Sequence, residues 1–137
     1  MSKPIPPVSK FMTMSPHTVR PTLTLDEAMK LMRSHHIRHL PVLDAGQLVG
    51  IISERDVRLI ESFKDVDPTK VRIDEAMAQD VYVVSPEAPL DEVAAEMASK
   101  KYGSAVVMQN QKVVGIFTVV DALSALSELL QTRLARG

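Results

Sequence analysis

The sequence predicts an α/β (α+β) fold made of two tandem β-α-β-β-α repeats packed with pseudo-twofold symmetry. Three observations carry this. The chain matches itself at a constant offset, each copy holds one amphipathic helical stretch, and each follows it with two short strand-like runs and a new helix start. Slid by 65 residues, positions 12–56 fall on 77–121 without a gap. Identities include Met12/Met77, Val19/Val84, Pro21/Pro86, Leu25/Leu90, Asp26/Asp91, Glu27/Glu92, Met32/Met97, Ser34/Ser99, Val42/Val107, Val49/Val114, Gly50/Gly115, Ile51/Ile116 and Asp56/Asp121. Chance does not hold one offset over such a length.

The elements follow in the same order in both copies. A short strand at 18–20 ends at Pro21, and its partner at 82–84 ends just before Pro86. Leu25, Ala28, Met29 and Met32 then fall at i, i+3, i+4 and i+7, as do Leu90, Val93, Ala94 and Met97, giving each helix one apolar face. Thr24 and Glu27 form a capping box for the first helix, whereas Pro89 replaces that threonine in the second. Strands at 40–43 and 48–52 form a hairpin across Asp44-Ala45-Gly46-Gln47, and strands at 104–108 and 113–118 turn at Asn110. Further helices start near Ser53 and Thr118.

A unit of roughly 60 residues buries only ~60% of its surface, so two units sharing a core are expected, with clefts between them. The expected organisation is a tail at 1–7, a first repeat at 8–61, a connection at 62–72, a second repeat at 73–125 and a helix extension at 126–137. In that extension Leu123, Leu126, Leu130 and Leu134 recur every three or four residues, with Leu129 beside them. The stripe either packs on a second subunit or caps its own core.

Composition narrows the classes. The chain has 137 residues, 45% apolar and 24% charged, as in ordinary globular domains. A net charge of −1 gives no general attraction to nucleic acid or anionic membrane. The absence of cysteine excludes disulfides, thiolate zinc sites and cysteine nucleophiles. Residues 1–8 hold three prolines and no apolar core of signal-peptide length, and no apolar run approaches the ~20 residues of a membrane span. A cytoplasmic protein is expected. No convincing nucleophile–base or acid–base set is present, so no enzyme is expected.

The stretches His39-Leu40-Pro41-Val42, Gly50-Ile51-Ile52-Ser53-Glu54-Arg55-Asp56 and Gly115-Ile116-Phe117-Thr118-Val119-Val120-Asp121 resemble CBS domains. The pair resembles a CBS-pair (Bateman) module over about residues 8 to 125. The resemblance implies a free-standing regulatory module with no cofactor, which binds AMP, ADP or ATP, or else S-adenosylmethionine or NAD, in clefts between the repeats. It also implies a homodimer and a regulated partner protein. The alternative is a ligand-independent interaction scaffold.

The family's nucleotide signature, Gly-x-x-Ser/Thr-x-x-Asp, occurs twice. Gly50 and Gly115 would let the strand be approached closely. Ser53 and Thr118, at helix starts, would offer hydroxyls and free N–H groups to phosphate or ribose oxygens, and Asp56 and Asp121 would accept from ribose hydroxyls. The same residues equally read as helix capping boxes that need no ligand. A basic run, Arg33, His35, His36, Arg38 and His39, precedes Pro41. The resemblance makes Arg38 and His39 phosphate contacts; the plainer reading is a solvated basic surface. A metal site at His35 or His36 with His39 is disfavoured, because Pro41 breaks the helix that would align them.

Arg38-His39 is replaced by Gly103-Ser104 in the second copy, so the two sites should be unequal; because the clefts are composite, Arg38 and His39 serve either the site of Asp56 or that of Asp121. Glu54 adds a negative charge beside Ser53, compatible with phosphate there only if it points outward and Arg55 compensates. The site with Thr118 and Asp121 is therefore favoured. Adenine would lie against Thr18-Val19 and Val83-Val84, whose inward members read equally as ordinary core.

Overall fold

The computed structural model describes residues 4–134. Its elements are β1 (Thr13–Met14), α1 (Leu25–His35), β2 (His39–Asp44), β3 (Gln47–Ser53), α2 (Glu54–Glu61), α3 (Ile73–Ala76), β4 (Val83–Val84), α4 (Leu90–Lys100), β5 (Ser104–Gln109), β6 (Lys112–Thr118) and α5 (Val119–Arg133), with a 3-10 turn at Val8–Lys10. They gather into two compact units. One comprises Pro16–Val81; the other joins residues 4–15 to 82–134.

The first unit centres on the hairpin of β2 and β3, in register from His39 opposite Ser53 to Asp44 opposite Gln47, with a bulge after Val42. Ala45 and Gly46 both take positive φ, 50° and 81°, so the turn is a two-residue one that suits the twist of the strands. In place of the strand expected at 18–20, one residue, Val19, makes a parallel bridge to Val42. Pro21 follows too closely for a longer ladder, having no N–H to donate. α1 starts at Thr24, whose hydroxyl accepts from the Glu27 N–H at 3.2 Å, and the capping box is complete. Leu25, Ala28, Met29 and Met32 bury its apolar face against Leu40, Val42, Ile52 and Val57.

The connection after α2 is tied down. Asp67 accepts from the Thr69 N–H and hydroxyl at 2.9 and 2.6 Å, and the Val71 and Pro68 carbonyls accept from the Leu25 and Asp26 N–H groups. Ile73 is fully buried in this same core. Residues 77–78 then run beside β3, with Ile51 and Ala78 exchanging two backbone bonds of 2.9 Å.

The second unit has a four-stranded sheet in the order β1-β6-β5-β4. β5 and β6 repeat the hairpin of the first unit, bulge included, and turn through Asn110 and Gln111 at φ 53° and 64°. β4 runs parallel to β5, and β1 antiparallel to β6 with Thr13 opposite Ile116. Phe117, the largest fully buried side chain, packs with Leu90, Val93, Met97, Ala105, Val107 and Ala125. Pro89 heads α4 without a side-chain cap.

Duplication in sequence and neighbourhood in space therefore differ. Val8 lies in the core of the second unit, and its N–H donates to the Ala88 carbonyl at 2.8 Å. The segment Val8–Ser15 packs with 82–134, and 73–81 packs with 16–72. The paired residues Met12 and Met77 show this directly, since Met12 lies on Gly115 and Met77 on Gly50. Among the described residues no helix is long and apolar enough to cross a membrane.

Candidate functional site

Each Gly-x-x-Ser/Thr-x-x-Asp motif spans the end of a strand and the start of a helix. In the first unit the Ser53 N–H donates to Asp56 Oδ2 at 2.9 Å, and the Asp56 N–H donates to Ser53 Oγ at 3.1 Å. In the second unit the Thr118 N–H donates to Asp121 Oδ2 at 2.9 Å, and the Asp121 N–H donates to Thr118 Oγ1 at 3.3 Å. Both are complete capping boxes. The next N–H is also used: Glu54 donates to the Arg38 carbonyl at 2.9 Å and Val119 to the Gly103 carbonyl at 3.3 Å. The expected row of free N–H groups is thus mostly consumed within the fold.

What remains available is chiefly carboxylate. An ionised carboxylate offers about four acceptor positions, and the cap fills only some of them. Asp56 and Asp121 are both half-buried. Such groups suit a ligand that donates hydrogen bonds, such as a cis-diol, better than one that only accepts. Ser53 Oγ retains its proton as a donor, whereas Thr118 Oγ1 lies 3.1 Å from Asp121 Oδ2 and donates there.

The glycines of the motif are approached closely, by methionine. A Cβ on Gly50 would meet Met77 Sδ at 2.5 Å and the Ala78 carbonyl oxygen at 2.8 Å; one on Gly115 would meet the Met12 side chain. Their missing side chains serve the packing of 12 and 77.

Glu54 is neutralised by a different arginine from the one expected. Arg58 Nε and Nη2 both reach Glu54 Oε1 at 2.7 Å, and Arg38 Nε lies 3.8 Å from Oε2. Arg55 takes no part in these pairs. The i,i+4 spacing of Glu54 and Arg58 was the signal in the sequence. Arg38, Arg58, Arg33, His36 and Glu54 line a polar groove of about 340 Å³. Three arginines and a single carboxylate line it.

His39 sits at the start of β2 opposite Ser53. Burial pushes its imidazole below the usual histidine range, the Asp56 carboxylate offsets this in part, and the Arg38 guanidinium adds to the lowering. At neutral pH the ring is uncharged, so it can offer a phosphate a hydrogen bond and no charge. Below about pH 6.5 the unfolded chain takes up this proton first, so the contribution of His39 to stability is present above that pH and lost as pH falls. His35 lies stacked on His17, ring centroids 3.7 Å apart. Among the described residues no group of three or more His, Cys, Asp or Glu is placed to hold a metal.

Of the four residues expected beside adenine, Val19 is buried in the first unit's core. Its N–H donates to Pro41 O at 3.1 Å and its carbonyl accepts from Leu43 at 2.8 Å, while Thr18 is exposed. Val83 is exposed and Val84 packs against the second core.

A fold of duplicated β-α-β-β-α units, each with a capped aspartate after its hairpin, defines a tandem CBS-domain protein. The family model for the CBS domain matches residues 8–61 and 73–128, and the chain belongs to this family. It is similar to a Vibrio cholerae protein assigned to acetoin utilization (AcuB), at 34% identity and a TM-score of 0.83, covering 97% of this chain and 100% of that one. It is also similar to the CBS domain pair of MJ0100 in complex with 5′-methylthioadenosine and S-adenosyl-L-methionine, at 29% identity and a TM-score of 0.80, covering 91% and 98%. A third likeness is to CBSX2 in complex with AMP, at 26% identity and a TM-score of 0.76, covering 90% and 98%. The chain spans 23–36% of the length of the first curated relatives it matches. Among these is the L-aspartate semialdehyde sulfurtransferase of Methanocaldococcus jannaschii, 34% identical over 123 residues, which cover 88% of this chain and 23% of that one.

Proposed function

We propose that this chain is a regulatory module that binds an adenosine-containing ligand, AMP, ADP or ATP, and signals to a partner protein. The observation that carries this is the pair of half-buried aspartates, each fixed by its own helix cap with carboxylate positions to spare. AMP, S-adenosyl-L-methionine and 5′-methylthioadenosine, named in the similar structures, share only the adenine base and the ribose ring with its 2′,3′-diol. A ribose diol donating to a carboxylate is the contact all three can make. S-adenosylmethionine is therefore the second reading. Thr118 and Asp121 form the favoured ribose site, with Val83 and Val84 toward the base; Ser53, Asp56, Arg38, His39, Thr18 and Val19 belong to the other.

A thermal-shift panel tests it. A ligand at 100 times its Kd adds ~2.7 kcal/mol of stability, which raises Tm by several degrees in a chain of this size. AMP or S-adenosylmethionine at millimolar concentration is expected to give such a rise. No shift with AMP, ADP, ATP or S-adenosylmethionine would leave the interaction scaffold as the better reading.

The chain is further proposed to act as a homodimer through α5. Ala122, Ala125 and Leu129 turn toward their own core, while Val119, Leu123, Leu126 and Leu130, spaced 4-3-4, are 47–60% exposed. That is the spacing of a helix-pairing seam. Sedimentation equilibrium is expected to give a dimer, and the double substitution Leu123→Glu/Leu126→Glu a folded monomer. A wild-type chain that sediments as a monomer would refute this assembly.

A further inference from the structure

The two capping boxes share the same reciprocal pair of backbone bonds, yet one aspartate has a neighbour that the other lacks. Thr13 on β1 stands opposite Ile116, and the residue 65 positions on, Ala78, stands opposite Ile51, which is the counterpart of Ile116. The two positions are thus equivalent in register, one carrying a hydroxyl and the other a methyl. Thr13 Oγ1 lies 3.2 Å from Asp121 Oδ1 and 3.4 Å from Oδ2. Asp56 receives no such contact among the described residues.

We infer that Thr13 is a positioning residue, which holds the Asp121 carboxylate ready for a ribose hydroxyl and so makes the second unit the stronger adenosine site. The inference rests on the ribose reading of Asp121 proposed above. An aspartate's terminal torsion is soft and broad, so a carboxylate held by one oxygen can still swing. The cap holds both aspartates by Oδ2 alone. The Thr13 hydroxyl engages the Oδ1 side and ties the free end of Asp121 to β1. Oδ1 keeps an acceptor position for the ligand, now in a fixed direction. A group ordered before binding loses less freedom on binding. The first unit must order Asp56 at the moment of binding.

Calorimetric titration with AMP tests this on wild type, Thr13→Val, Thr13→Ser, Asp121→Ala and the double variant Thr13→Val/Asp121→Ala. Thr13→Val keeps the shape and the strand-forming β-branch, so only the hydroxyl is lost. It is expected to weaken AMP about three- to tenfold, the size of one lost hydrogen bond. Thr13→Ser should bind within about twofold of wild type, and Thr13→Val should cost nothing more once Asp121 is alanine. Wild-type affinity in Thr13→Val beside a large loss in Asp121→Ala would overturn the positioning role and leave the ribose site standing. Equal losses in Thr13→Val and Thr13→Ser, or a full penalty persisting in the double variant, would also overturn it. An unchanged Asp121→Ala, or a wild-type chain silent to millimolar AMP, would overturn both.

Discussion

Gly50→Ala is expected to destabilise the chain by about 2–3 kcal/mol, toward the upper end of the cost of overpacking a tight contact. The equivalent substitution Gly115→Ala should cost about half as much or less. Both glycines carry the same motif, so a role in ligand binding alone would not separate them. Their surroundings do. The new methyl at Gly50 would meet the Ala78 carbonyl oxygen at 2.8 Å as well as Met77 Sδ and Cγ. That carbonyl accepts from the Ile51 N–H, and the Ala78 N–H donates back to Ile51, both at 2.9 Å. Relief would break a pair of backbone bonds. At Gly115 only the Met12 side chain is in the way, and an unbranched thioether can take another rotamer. Urea unfolding monitored by circular dichroism measures both losses. Equal effects would mean that 77–78 yields as easily as a side chain.

The same contacts mark where sequence reading stopped. The repeat was legible because helix periodicity, hairpin turns and capping residues are local properties, and a shared offset sums many weak signals. Thr24, Ser53 and Thr118 all stand where capping chemistry put them. Self-comparison could not say which copy each leading segment packs on. Met12 and Met77 are the same residue in the same frame, and either glycine could receive either methionine. That choice depends on chain path between the units of the motif, which no local pattern records. Val8 and Ile73 were accordingly assigned by sequence position, while each is buried in the core completed by the other copy's helices.

The site was legible to a similar depth. Asp56 and Asp121 stood out because the motif repeats; both are caps, and the ligand contact proposed for them would use carboxylate positions that the cap leaves open. Two residues escaped. Arg58 was hidden because Arg55 lay nearer to Glu54 in sequence, although only i+4 shares its helix face. Thr13 was hidden because a search for identities passes over the positions where the copies differ. Yet a difference between otherwise matching copies is where unequal function should arise.

Asp121→Ala is expected to weaken AMP binding tenfold or more, and to cost more stability than Asp56→Ala, because Asp121 also accepts from the Thr13 and Thr118 hydroxyls. Each substitution removes the side-chain half of a capping box, worth about 0.5–2 kcal/mol, and the backbone acceptor geometry at 2.9 Å is the same in both. Stability alone cannot reveal a ligand role, because contacts within the fold account for melting losses at both positions without any ligand. Affinity separates the readings. A ribose hydroxyl donating to the ionised carboxylate contributes ~1.5–3 kcal/mol, and its loss corresponds to a factor of ten or above. Asp56 lacks the Thr13 contact that holds Asp121, so Asp56→Ala should alter AMP affinity far less. Calorimetry and thermal melts on the two variants in parallel give both quantities. A melting loss in both variants, the larger in Asp121→Ala, with a tenfold affinity loss confined to Asp121→Ala is the expected pattern. The same melting losses with AMP affinity intact in both would reduce the two aspartates to helix caps.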